Sequence, residues 1–208
     1  MRPSAHVLAS VAGLLVSSVA ALAEPVATSI PMRIFGPAQP PYGFVNFCER
    51  MPRECHQGPQ EEQRFALTPE RRTELEAVNL AVNHEIKPIT DIELYGVADY
   101  WTVPARQGDC EDYVLLKRKR LMALGWPASA LLITVVRDER GEGHAVLTAR
   151  THQGDFILDN KTDEIRLWHR TPYQFVMRQS YLNPRVWMSL DPREADPSLP
   201  SAGVRRTR

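Results

Sequence analysis

The sequence has no net charge, few cysteines and, beyond its N-terminus, no long apolar run. Its 208 residues include 25 basic and 25 acidic side chains, so bulk charge gives no reason to expect nucleic-acid binding. After the N-terminus, no stretch approaches the roughly 20 apolar residues that a membrane-spanning helix needs. The length suits one domain with a sizeable core and is short for two.

The N-terminus has the pattern of a secretory signal peptide. Arg2 supplies a positive charge, residues 7–20 are apolar or small, and Ala21-Leu22-Ala23 has the form of a signal-peptidase site. We therefore expect residues 1–23 to be removed on export, leaving a periplasmic or secreted protein with no membrane span. An uncleaved membrane anchor is the alternative interpretation of the same run.

Three cysteines are present, which leaves one without a partner if two of them pair. Cys48 and Cys55 share a proline-containing loop and could form a disulfide in an oxidising compartment. The alternative is a metal site with His56, although no second cluster of ligands has suitable spacing. Cys110 is then the odd cysteine, and an odd thiol in an exported protein is either intermolecular or reactive.

Cys110 lies where a helix is predicted to begin. Gly108 allows a turn, Asp109 is a good N-cap, and Glu111 and Asp112 place acids in the first turn, where the helix dipole favours them. A helix start lowers the pKa of a thiol, whereas three flanking carboxylates raise it. A bound cation or a nearby histidinium would resolve this conflict.

A β-hairpin is predicted downstream, with a histidine at its start and acidic or amide groups at its end. His144 opens one apolar run, Asp159 and Asn160 close the next, and residues 151–155 form a polar turn between them. If even-numbered positions pair with odd-numbered ones, His144 and Asp159 project from the same face; in the other register Asn160 does so. Cysteine, histidine and such a third group form the triad of thiol acyl-transfer enzymes.

Taken together, these motifs resemble the bacterial transglutaminase-like cysteine peptidases. The resemblance covers roughly residues 75–190, and its motifs occur in order at residues 99–104, 108–113, 121–127, 143–147 and 158–160. It implies an α+β, papain-like or transglutaminase-like fold, in which the helix that carries the nucleophile packs on an antiparallel β-sheet.

The resemblance also implies a role for each residue of the triad. Cys110 would be the nucleophile, His144 the general base and Asp159 the group that orients the imidazole. The backbone N–H of Cys110 would bind the oxyanion, with Gln107 as a weak candidate for the second donor.

A calcium site using Asp109 and Glu111 is implied as well, with Asp112 or Asp99 as a further ligand. Calcium would neutralise the acids beside the thiolate and hold the loop that directs Cys110. On residue chemistry alone, the alternative is that Asp109 caps the helix while Glu111 and Asp112 favour its dipole.

We expect an exported, calcium-dependent endopeptidase that cleaves a flexible segment of a periplasmic or surface protein. One branch of the family cleaves biofilm adhesins and is held inactive by an inner-membrane cyclic-di-GMP receptor. A protein-glutamine acyltransferase or deamidase would use the same thioester. The non-enzymatic alternative is a catalytically silent module that binds calcium.

The remaining segments are predicted from turn residues and periodicity. Residues 24–67 should form an extended arm, residues 68–190 the peptidase domain with helices starting at Thr68 and Asp109, and residues 191–208 a disordered tail. Four consecutive basic residues, 117–120, are spread around most of the circumference of the helix that starts at Asp109. At least one of them must therefore lie near the apolar side and extend its charged group towards solvent.

Overall fold

The computed structural model describes residues 30–55 and 64–195 of the chain. The predicted signal peptide, His56 and the tail beyond residue 195 lie outside these residues. Within them, no helix combines the length and the apolar character that crossing a membrane requires.

In the described chain, the four α-helices come before the main run of strands, β4 to β9. The helices are α1 (Tyr42–Arg50), α2 (Pro69–Glu85), α3 (Asp91–Tyr95) and α4 (Cys110–Ala123). The strands are β1 (Gly36–Ala38), β2 (Lys87–Pro88), β3 (Gln107–Gly108), β4 (Leu131–Arg137), β5 (Gly143–Thr151), β6 (Gly154–Leu158), β7 (Arg166–Leu167), β8 (Gln174–Gln179) and β9 (Trp187–Ser189).

A seven-stranded antiparallel sheet, in the order β1-β9-β8-β4-β5-β6-β7, forms one layer of the fold. Helices α2 and α4 pack together, and α4 also packs on β5. A separate pair, β2 and β3, is parallel. The predicted α+β architecture, with the cysteine helix on an antiparallel sheet, is confirmed.

The core lies between the helices and the inner face of the sheet. Apolar residues at helical spacing on α2 and α4 meet the alternate residues of β5 and β6 that point to the same face. Its fully buried members include Phe47, Leu75, Val82, Leu121, Leu147, Leu158 and Trp187. This packing holds the start of α4 against β5, where the cysteine and the histidine lie.

The two main helices begin and end close to where local signals predict. Thr68 Oγ1 accepts a hydrogen bond from the Arg71 N–H at 3.3 Å, and Pro69 follows as the first helical residue. After α4, Gly125 has a φ of 88°, a left-handed conformation that glycine adopts at little cost. These boundaries depend on short-range chemistry, and the sequence displays them directly.

Part of the segment predicted as an extended arm is regular structure. Within residues 24–67, β1 forms an edge strand and α1 is a nine-residue helix whose Phe44, Phe47 and Cys48 are buried. Their spacing places them on one helical face, but the many prolines in this segment favoured the prediction of an extended chain. A disulfide joins Cys48, within this helix, to Cys55 beyond its end, so the predicted pairing is present.

Residues 191–195, predicted as the start of a disordered tail, are held against the sheet. Asp191 is buried and accepts a hydrogen bond from Gln174 Nε2 at 2.9 Å and one from the Arg193 N–H, also at 2.9 Å. The polar composition of this segment gave no indication of these hydrogen bonds.

The basic run on α4 is divided between the interior and the surface. Lys119 and Arg120 lie outside and pair with Glu54 and Glu85. Lys117, in contrast, is 0% exposed and its Nζ has no hydrogen-bond partner among the described residues. The expected extension of a basic side chain to solvent therefore does not occur at Lys117.

We expect Lys117→Met to stabilise the protein by about 1–3 kcal/mol at pH 7, because it removes a buried charge without a hydrogen-bond partner. Burial lowers the pKa of Lys117 from 10.5 to about 7, against the opposing charges of Asp159 and Asp163. The unfolded chain thus binds more protons between these values, and this lysine makes stability rise with pH across that window.

Urea unfolding at pH 7 and pH 9 measures this effect. The difference between Lys117→Met and the native protein should shrink at the higher pH. Lys119→Met is the matched control, since Lys119 lies on the same helix with its ammonium 2.9 Å from Glu54 Oε1 at the surface. A loss of stability in Lys117→Met would contradict the prediction.

Candidate active site

Cys110 is the first residue of α4, with Asp109 at the N-cap position. The Asp109 side chain makes no capping hydrogen bond, contrary to the expectation that it caps the helix. The close approach at this point needs Gly108, because a Cβ there would overlap the Asp112 carboxylate. The sequence around the cysteine therefore forms a tight turn, and Asp109 Oδ1 has no hydrogen-bond partner among the described residues.

The hairpin of β5 and β6 has the register that places His144 and Asp159 on one face. Leu147 pairs with Leu158 and Thr148 with Ile157, so even-numbered positions face odd-numbered ones. Consistent with this, His144 Nε2 lies 2.8 Å from Asp159 Oδ1, and both side chains are 3% exposed. Asn160, the alternative third residue, therefore does not lie behind the imidazole.

Asp159 is held by several further contacts. Its Oδ1 accepts the Lys161 N–H at 3.0 Å, and its Oδ2 accepts the Tyr173 hydroxyl. Burial alone would raise the pKa of Asp159, but the hydrogen bond and charge of His144, aided by these donors, bring it below its ordinary value. The carboxylate is therefore ionised at neutral pH.

Cys110 and His144 line the same surface cleft, of about 310 Å³, together with Asp99, Trp101, Asp109, Glu111 and several small residues. The imidazole uses Nε2 to contact Asp159, which leaves Nδ1 as its second ring nitrogen. Gln107, the weak candidate for an oxyanion donor, lies in β3 and is not among the residues described as lining this cleft.

The Cys110 thiol is surrounded by acids. It donates to Glu111 Oε2 at 3.1 Å, while the Ala145 N–H donates to Cys110 Sγ at 3.4 Å. Burial, followed by the charge and hydrogen bond of Glu111, raises the pKa of Cys110 well above its ordinary value. The flanking carboxylates therefore oppose the formation of a thiolate at this helix start.

Three carboxylates lie together beside the cysteine. Asp91, Asp109 and Glu111 each offer an oxygen, and these oxygens are within 4.8 Å of one another. Asp91 Oδ1 and Asp109 Oδ1 are buried and have no hydrogen-bond partner among the described residues. Burial and the Asp109 charge raise the pKa of Glu111 to about 9. Buried acids with unpaired oxygens fit a hard divalent cation such as calcium.

The structure brings two of the predicted ligands together and leaves the others outside. Asp112 Oδ1 accepts the Thr102 N–H at 2.8 Å. Both oxygens of Asp99 are engaged, by the Gly43 N–H at 2.8 Å and by Trp101 Nε1 at 2.7 Å. Neither side chain belongs to the cluster of three carboxylates.

Sequence reasoning missed Asp91 as a candidate ligand because it lies 18 positions before Asp109. The parallel pairing of β2 with β3, extended by the Ile89 N–H donating to Gly108 O at 3.1 Å, brings it there. Thr90 then caps α3 and sets the direction of the first turn that begins with Asp91. The sequence contains the capping pattern of Thr90 and Glu93, but it gives no sign that β2 pairs with β3.

Comparison with known protein families gives a match over most of the chain. The model of the bacterial transglutaminase-like cysteine proteinases (BTLCP) matches residues 34–195. The chain belongs to this family. It is therefore a cysteine peptidase and a hydrolase, as the motifs predicted, and its substrates are proteins. The match also includes most of the segment that we had separated as an arm.

The chain is also similar to solved structures of one other protein. Calcium-bound LapG of Legionella pneumophila is 27% identical, with a TM-score of 0.50, over 64% of this chain and 77% of that one. EGTA-treated LapG of the same organism is also 27% identical, with a TM-score of 0.48, over 56% of this chain and 66% of that one. None of the curated protein sequences compared with the chain matches it.

Proposed function

We propose that this BTLCP is an exported, calcium-dependent endopeptidase with Cys110 as nucleophile, His144 as general base and Asp159 as orienting group. The observation that supports this proposal most is the 2.8 Å contact of His144 Nε2 with Asp159, beside a cysteine that lines the same cleft as the histidine. In this arrangement His144 Nδ1 is the nitrogen that accepts the proton of the Cys110 thiol.

The reaction follows from these positions. His144 takes the Cys110 proton, and the sulfur forms a bond to the carbonyl carbon of the scissile amide. The C–N bond then breaks as the imidazolium gives its proton to the leaving amine, which leaves a thioester. Water, deprotonated by His144, hydrolyses the thioester and restores the thiol. The Cys110 backbone N–H at the start of α4 stabilises the oxyanion, a contribution of about 3 kcal/mol for a well-placed donor.

Calcium binding would be the task of Asp91, Asp109 and Glu111. Their close, buried oxygens support this assignment, and the related LapG structure is calcium-bound. When bound, the ion supplies positive charge that offsets the acids beside the Cys110 sulfur. Glu111, which accepts a hydrogen bond from the thiol, would then share its negative charge with the ion.

The substrate we propose is a flexible segment of a periplasmic or surface protein, with a biofilm adhesin as the case that the family resemblance implies. The disulfide between Cys48 and Cys55 and the signal-like N-terminus support an oxidising compartment. An inner-membrane receptor as regulator is part of the same proposal and comes from the resemblance alone.

A comparison of protein N-termini tests the proposal. Periplasmic and surface proteins are incubated with the purified protein in CaCl₂, or in EGTA, and new N-terminal peptides are identified by mass spectrometry. We expect new termini only with calcium. Ammonia release without new termini would indicate acyl transfer or deamidation, and neither product would indicate a silent binding module.

A further inference from the structure

Tyr173 lies against both the carboxylate and the imidazole of the proposed triad. It immediately precedes β8, and its hydroxyl donates to Asp159 Oδ2. Its ring centroid is 5.7 Å from that of His144, with the two planes at 68°, an edge-to-face contact. One side chain therefore contacts two groups whose relative orientation matters for proton transfer.

The two oxygens of Asp159 are held unequally. Oδ1 accepts both His144 Nε2 at 2.8 Å and the Lys161 N–H at 3.0 Å. For Oδ2, the Tyr173 hydroxyl is the hydrogen-bond donor found in the described part of the chain. Without it, the carboxylate could rotate about its bond to Cβ and carry Oδ1 away from the imidazole.

The Tyr173 hydroxyl is a dependable donor. Burial, with the hydrogen bond and charge of Asp159, raises the pKa of Tyr173 well above its ordinary value, so the hydroxyl keeps its proton at neutral pH. Among other titratable groups, Glu139 and Asp138 act on it in the same direction. A phenol that stays neutral fixes the carboxylate and adds no charge to the site.

Tyr173 is half-buried, and the Asp159 side chain beside it is 3% exposed. Both residues line a second cleft, of about 180 Å³, with charged neighbours such as Glu139, Lys161 and Arg166. Neither Cys110 nor His144 is among the described residues that line it. Removal of the hydroxyl would let water from this cleft compete for Asp159 Oδ2.

We propose that Tyr173 is a positioning residue, which holds the Asp159 carboxylate in the plane of the His144 imidazole and shields their contact from water. The proposal rests on the proposed function, because it assumes that His144 activates Cys110. In this proposal, Tyr173 affects the Cys110 sulfur only indirectly, through Asp159 and His144.

The test compares Tyr173→Phe with the native protein, in saturating CaCl₂ at pH 7. Cys110 is the free cysteine, so the rate of its alkylation by iodoacetamide reports its activation without any need for a known substrate. We expect alkylation to slow by about tenfold, the size of effect that loss of an orienting partner has at metal-bound histidines. In proton NMR, the His144 Nε2 proton should exchange with water at least about tenfold faster, since its acceptor is no longer fixed.

Tyr113→Phe is the matched control. Its hydroxyl donates to Ile86 O inside the core, so this variant loses a buried tyrosine hydrogen bond away from the triad. It should lower the melting temperature and leave both readouts unchanged. Equal slowing in the two variants would reduce Tyr173 to a structural role, and native behaviour of Tyr173→Phe would overturn the proposal.

His144→Ala separates failure of this inference from failure of the proposed function. If His144→Ala is alkylated as fast as the native protein, the histidine does not activate the cysteine and the triad itself is wrong. If only His144→Ala is slow, the triad stands and the positioning role of Tyr173 is refuted.

Discussion

Cys110→Ala is expected to lower kcat/KM for peptide cleavage by at least about 10⁴-fold, because no neighbouring group could replace the proposed nucleophile. Cys110 is the free cysteine of the chain, so no other thiol can substitute for it. The measurement is the rate at which purified variant and native protein generate new N-termini in the same protein mixture, with calcium present.

The same variant should keep its fold and its calcium site. The carboxylates of Asp91, Asp109 and Glu111 remain in Cys110→Ala, so isothermal titration with CaCl₂ should give a similar heat and stoichiometry. Because a thiol among acids is replaced by a methyl group, we also expect no loss in melting temperature. Cleavage that persists in a folded Cys110→Ala protein would refute the nucleophile assignment.

Asp91→Asn is expected to weaken calcium binding by about 100-fold, since affinity depends on the number of charged ligands and the variant removes one of three. Isothermal titration of the purified protein with CaCl₂ measures the dissociation constant directly. Asp91 lies on α3, whereas Asp109 and Glu111 lie at the start of α4. The titration therefore shows whether calcium binding requires a ligand from outside the start of α4.

Asp99→Asn serves as the control for this titration. Asp99 is also an acid near the cysteine, yet its oxygens already accept hydrogen bonds from the Gly43 N–H and Trp101 Nε1. Its replacement should change calcium affinity by no more than about threefold, as expected for a charge outside the ligand set. Equal losses in Asp91→Asn and Asp99→Asn would indicate a diffuse electrostatic effect and contradict the assigned ligand set.

Short-range signals in the sequence determined several parts of this protein. Thr68 with Pro69 starts α2, Gly125 follows the end of α4, and Cys110 stands at a helix start, because capping and turn chemistry depend on neighbours in the chain. The ordered motifs also identified the family and the fold class. Alternation of residues in the hairpin reduced the third triad member to Asp159 or Asn160.

Only the tertiary structure, through the register of β5 with β6, places Asp159 and not Asn160 in contact with His144. It also brought Asp91 to the acids around Cys110, Tyr173 to Asp159, and Lys117 into the interior. These outcomes depend on pairing and packing between segments distant in the chain, and such contacts leave no local pattern in a single sequence. Cys110 and His144 could thus be proposed from the sequence, whereas the side chains that surround them required the fold.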